Sequence, residues 1–128
     1  MSAVMLKPIV QPTKYIVTCL PEDPDDLGSH VFGLSVEYRG AGRWGVFRGS
    51  HCCLGADGTW SWGYRGPDGD REPETDAECD AYNRGQDAWL AEHRFDVETA
   101  LRLAREAAPL VTVNGITVEQ AIAMRSAR

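Results

Sequence analysis

At 128 residues, with 43% hydrophobic and 25% charged residues, the chain has ordinary globular composition and the size for one hydrophobic core, which excludes a disordered polypeptide. A net charge of −6 with only two lysines, Lys7 and Lys14, excludes a general nucleic-acid coat, because phosphate binding needs clustered Lys and Arg. No run approaches the roughly 18 consecutive apolar residues that span a bilayer, so no membrane association is expected.

In chain order, residues 1–13 read as a flexible arm, since Pro8 and Pro12 each remove a backbone donor and push the preceding residue out of helix. Lys7, Pro8 and Pro12 also break the continuous apolar stretch that a signal peptide needs. Residues 14–20 are β-branched and aromatic and predict a first strand, followed by turn chemistry over 21–28. Over 30–39, Phe32, Leu34, Val36 and Tyr38 alternate with Gly33, Ser35, Glu37 and Arg39, the period-2 pattern of a half-buried strand. A tight turn at Gly40-Ala41-Gly42 leads into one long strand over 43–54, whose Gly45 and Gly49 invite a bulge. Asp57-Gly58 then predicts a second hairpin and a strand over 59–64.

Helices follow. Thr75 and Glu78 fit a capping box, placing Tyr82 and Trp89 on one side of a helix that Gly85 weakens by about 1 kcal/mol. Asp96 predicts the N-cap of a second helix, with Val97, Ala100, Leu101, Ala104 and Ala108 as its apolar stripe and Pro109 as its stop. A short strand over 110–113, an Asn114-Gly115 turn and a second capping box at Thr117 and Gln120 predict a last helix running to about Arg125. The fold expected is α+β: an antiparallel sheet of about four strands joined by hairpins and packed by two or three C-terminal helices. The domain is expected over 14–128, with a β-rich part at 14–66, an acidic linker and helix at 67–93, and a helical part at 94–128.

Charge is uneven along the chain. Residues 21–30 carry Glu22, Asp23, Asp25 and Asp26 and no Lys or Arg, and residues 67–93 carry nine acids against Arg71 and Arg84. Residues 31–66 are slightly basic, with Arg39, Arg43, Arg48 and Arg65 against Glu37 and Asp57, which leaves room for a local basic patch.

The densest set of chemically active side chains is His51-Cys52-Cys53, with Cys19, Cys79, His30 and His93 elsewhere, and zinc prefers these ligand types. The Cys-x2-4-Cys spacing of structural zinc sites is missing, and neighbours on a strand point to opposite faces, so no metal is expected. The cysteines are expected as thiols, two being adjacent and no secretory signal accompanying them. A phosphate-binding glycine loop, a Gly-x-Ser-x-Gly elbow and a His-Glu-x-x-His helix are all lacking, so neither catalytic residues nor a cofactor is expected.

The aromatic set Trp60, Trp62 and Tyr64 turns on hairpin parity. With a loop of two or four residues around Asp57-Gly58, these aromatics share a face with Cys53, His51 and Phe47, and a three-residue loop at Gly40–Gly42 puts the Phe32 to Tyr38 stripe on the other face. Two apolar faces need two covers. Both helices, or the acidic loop, can supply the second cover and make these aromatics core; if the face is left open, Trp60, Trp62, Tyr64 and Phe47 beside Arg43, Arg48 and Arg65 have the composition of a protein-binding hot spot.

The segments Arg43-Trp-Gly-Val, Cys53-Leu-Gly-Ala-Asp-Gly-Thr-Trp60, the run from His93 to Ala108 and Val111-Thr-Val-Asn-Gly115 resemble small proteins encoded by actinobacterial phages, over roughly two thirds of the chain. No activity and no functional residue come with that resemblance. It implies a context, in which small phage proteins often bind a host protein, defence components included. The expectation is a non-catalytic interaction protein in the host cytoplasm, binding a host protein or pairing with itself as a homodimer through the Trp60, Trp62 and Tyr64 face or the acidic segment, with no direct nucleic-acid contact. Two alternatives remain: an acidic nucleic-acid mimic acting against host defence, and a small Cys/His metal-binding protein or enzyme.

Overall fold

A computed structural model describes residues 5–20, 29–66 and 72–127. The turn expected over 21–28 and the start of the acidic segment, 67–71, lie outside the described residues. The sheet is a five-stranded antiparallel meander in the order β1 (Lys14–Val17), β2 (Leu34–Tyr38), β3 (Trp44–Arg48), β4 (Cys52–Leu54) and β5 (Trp60–Ser61). Three helices follow: α1 (Asp76–His93), α2 (Val97–Ala107) and α3 (Val118–Ser126). A small hairpin of β6 (Thr112–Val113) and β7 (Ile116–Thr117) lies between the last two. The fold is α+β, with three helices C-terminal to the sheet.

The alternation in β2 sets the core. Leu34 and Val36 are fully buried, while Ser35 and Glu37 alternate with them on the opposite face. Tyr38 pairs with Trp44 and Val36 with Val46, the register required by a three-residue turn at Gly40–Gly42. The same face continues through Tyr15 on β1 and Leu54 and Trp60 at the other side of the sheet. Against it packs α2, which is capped by Asp96 and buries Ala100, Leu103 and Ala104. Small residues let this helix approach the strands closely, and Phe95, Ala108, Val111 and Val118 complete the core around it.

Three expectations are corrected. Residues 43–54 form two strands rather than one, because Gly49 takes a left-handed φ of 67° and turns the chain so that Arg48 pairs back onto Cys52. Residues 30–33 are not strand, a 3-10 turn over Ser29–Phe32 leading into β2. The parity of the next hairpin is also reversed. Gly55 donates to Thr59 and Gly58 to Gly55, enclosing a three-residue loop of Ala56, Asp57 and Gly58, with Gly58 at a φ of 84°. Leu54 therefore pairs with Trp60 and Cys53 with Ser61. A one-residue change in register exchanges faces, so Trp60 joins the core side and Ser61 takes the side of Cys53 and Phe47.

All three helix starts are made as expected, with capping boxes at Thr75/Glu78 and Thr117/Gln120 and Asp96 accepting from the Thr99 amide at 2.9 Å. Pro109 falls in a 3-10 turn, Ala108–Leu110, that ends α2. Two of the turn and cap carboxylates carry an acid signature. Asp57 lies below the usual carboxylate range because the Thr59 hydroxyl and amide both donate to it, and Asp96 is lowered in the same way by Thr99. A carboxyl lowered in the folded chain contributes stability that is fully present above its unfolded value, near about 4, and lost as pH falls through the folded value.

Urea midpoints followed from about pH 7 to about pH 2 should therefore drop at the acid end, and drop less in Asp57→Asn and Asp96→Asn. An equal drop in the variants would assign the acid sensitivity to other groups. Leu34→Ala should cost about 2–5 kcal/mol in the same assay, whereas Ile16→Ala, whose side chain is 61% exposed on β1, should stay within about 0.5 kcal/mol.

Candidate functional site

The face of the sheet opposite the α2 core carries Ser35, Glu37, Gly45, Phe47, Cys53 and Ser61. It is too polar to be a second core, and α1 lies over only part of it. Tyr82, Gly85, Trp89 and His93 recur at the spacing of one helical face and make its contacts. Tyr64 meets the Tyr82 ring at 5.1 Å between centroids, Trp89 Nε1 donates to Ser61 Oγ at 3.2 Å, and His93 stacks on Trp89 at 4.1 Å. Gly85 is needed here for space. A Cβ at that position would stand 2.6 Å from Tyr64 Cζ and closer still to its hydroxyl.

At its C-terminal end α1 is clipped to the sheet by backbone. The Ala56 amide donates to the Glu92 carbonyl at 2.9 Å, and Trp44 and Phe95 exchange N–H···O bonds of 2.7 and 2.8 Å. The bridge exists because β4 pairs only with Phe47 and Arg48, leaving the outer edge of Trp44 free for another segment. It places Arg94 against the turn between β2 and β3.

Three guanidinium groups meet there. Arg39 and Arg43 are direct cross-strand neighbours, the Arg39 amide donating to the Arg43 carbonyl at 2.8 Å, and strand alternation puts both on the Phe47 side. Arg39 lies over the Phe47 ring at 4.3 Å from its centroid. Arg94 approaches the Phe47 ring at 5.3 Å and the Trp89 ring at 5.5 Å. Arg43 reaches across to the Arg94 carbonyl, and Arg94 Nη1 donates to the His93 carbonyl at 2.8 Å. Gly45 keeps the floor open, since a Cβ there would collide with the Phe47 ring at 2.6 Å and crowd Arg94. The result is a cleft of about 430 Å³ lined by Arg39, Arg43 and Arg94, by the apolar Ala41, Leu90 and Ala91, and by Asp87.

The five residues expected to form a partner-binding surface do not share one. Arg43 lines the cleft, and Phe47 is buried beneath the arginines, where it positions their guanidinium planes. Tyr64 is covered by α1, Trp60 packs on the α2 core, and Trp62, past the end of β5, is 71% exposed. Arg39, Leu90 and Arg94 were missed as site residues. Arg39 was readable as a same-face neighbour of Arg43 across the Gly40–Gly42 turn, whereas nothing local to residues 90–94 announces that they close the cleft.

The His51-Cys52-Cys53 set does not converge. His51 is exposed in the β3–β4 turn, and the two buried thiols point to opposite faces of the sheet. Burial pushes the Cys52 thiol up, with Cys53 adding to the rise and Arg48 opposing it. Among the described residues all four cysteines are free, no three His, Cys, Asp or Glu side chains are grouped to hold a metal ion, and no helix is long and apolar enough to cross a membrane. No protein-family model, curated protein or solved structure matches the chain.

Because Tyr64 fills the space above Gly85, Gly85→Ala should not yield the stabilisation of about 1 kcal/mol that the substitution gives in an open helix. In a Tyr64→Ala background the same change should recover it. Equal effects in both backgrounds, measured by urea unfolding, would show that Tyr64 does not dock α1.

Proposed function

We propose that the chain is a small non-catalytic interaction protein that binds a protein partner where the β2–β3 turn meets the end of α1. The observation that carries this reading is the arginine-lined cleft. Like charges placed directly opposite across a hairpin are destabilising, yet Arg39 and Arg43 stand so and Arg94 is added to them. A local conflict of this kind, built over the buried Phe47 ring, is a mark of a binding surface rather than of stability. Arg beside apolar side chains is also the composition in which binding energy concentrates.

Two features weigh against a cysteine nucleophile. Cys52, the buried thiol with a shifted value, is held toward its protonated and unreactive form, and Cys53 lies on the other side of the sheet. The resemblance to phage proteins supplies a context for the partner, a protein of the host bacterium that the phage protein binds or inhibits.

Capture from an extract of an actinobacterial host tests this. Ala91→Trp fills the cleft with a neutral side chain at an exposed helix position, so a protein retained in stoichiometric amount by the wild-type chain should be lost from this variant. Retention of the same protein by Ala91→Trp, or its loss only in Trp62→Ala, would overturn the assignment of this surface.

A further inference from the structure

We infer that the cleft recognises the carboxylate of an acidic peptide side chain with an apolar residue beside it. This rests on the interaction reading above and names the chemistry of the partner at that surface. A guanidinium presents five N–H donors in a planar fork that matches a carboxylate. Among the described residues Arg43 and Arg94 each donate to one backbone carbonyl, and Arg39 meets Glu37 only at 3.8 Å, while the same Glu37 carboxylate accepts the Ser35 hydroxyl at 2.7 Å. Most of the donors are left for a ligand.

These groups are already oriented. Arg39 and Arg94 are held against Phe47 and Trp89, and Arg43 by the Arg94 carbonyl, so little side-chain freedom remains to be lost on binding. Leu90, Ala91 and Ala41 form an apolar wall for the residue flanking the carboxylate. A volume of about 430 Å³ suits a short peptide segment.

The surrounding charge selects among anions. Asp87 lines the cleft, and Asp76, Asp80 and Glu92 are exposed elsewhere on α1. A nucleic-acid strand would run its phosphates past these carboxylates, whereas a single peptide carboxylate places one charge among the three guanidinium groups.

The test is fluorescence anisotropy with the full chain and four probes: a labelled Glu/Leu peptide, its Gln/Leu counterpart, inorganic phosphate as competitor, and a labelled single-stranded oligonucleotide. The Glu/Leu peptide should bind, weaken with added salt, and lose about tenfold or more in affinity with Arg94→Gln. Arg94 also contacts the fold, so Ala91→Glu provides a second variant, placing a carboxylate in the cleft from an exposed helix position; it should abolish binding while the circular dichroism stays unchanged. Equal binding of the Gln/Leu peptide, equal or tighter binding of phosphate or oligonucleotide, or indifference to Ala91→Glu would overturn the inference. If the captured host protein is sensitive to Ala91→Trp but the Glu/Leu peptide neither binds nor competes with it, the carboxylate is wrong and the interaction surface stands. If Ala91→Trp leaves capture intact, the surface itself is wrong.

Discussion

The paired hydrogen bonds between Trp44 and Phe95 are the constraint on which both sides of this protein depend. They fill a gap in the sheet that the short β4 leaves beside β3, satisfying two backbone groups that would otherwise lie unpaired next to the core. They also fix the point at which the chain passes from one face of the sheet to the other. Before Phe95, α1 lies over the polar face; after it, Asp96 caps α2 and the apolar face is closed. The Phe95 side chain is itself in the core, so the crossover is held by packing as well as by hydrogen bonds.

The two helices are attached in different ways. Within α2, alanines approach the strands closely, and Ala100, Leu103 and Ala104 are buried in the core. In α1, of 18 residues only His93 is buried, and docking depends on the Tyr64, Trp89 and His93 contacts with the backbone clip at its end. A helix held by few buried groups opens at lower free energy than the core beside it. The cleft lies between that helix and a hairpin turn, so a ligand bridging the arginines would also hold α1 to the sheet.

Much of the fold was legible because local chemistry decided it. The alternation of Leu34 to Tyr38, the Asp96 cap, both capping boxes and the Asn114-Gly115 turn each act within a few residues. What failed was the choice between loops that share a sequence. Asp57-Gly58 suits a two-residue turn, and equally the last two positions of a three-residue loop, where Gly58 takes the left-handed conformation and the Asp57 carboxylate is satisfied by Thr59. That single residue of difference moved Trp60 from the supposed binding face to the core side of the sheet, where it packs half-buried. At Gly49 the segment Gly-Ser-His carried no strong turn signal, so the reversal that made a fifth strand was read as a bulge.

The site was half legible for a related reason. Arg39, Arg43 and Phe47 follow from the turn length and period-2 alternation, but Arg94 arrives through a bridge between residues 51 apart in sequence, which no local pattern encodes. Its position also answers a difficulty posed by composition. In a chain of net charge −6, isolated surface arginines would be paired with neighbouring carboxylates and present little positive potential. Phe47 and Trp89 offer Arg39 and Arg94 aromatic faces as well, which attract a cation without cancelling its charge. The buried aromatic side chain that sequence pattern marked as a contact residue therefore acts one layer down, carrying the guanidinium groups of Arg39 and Arg94 on its ring.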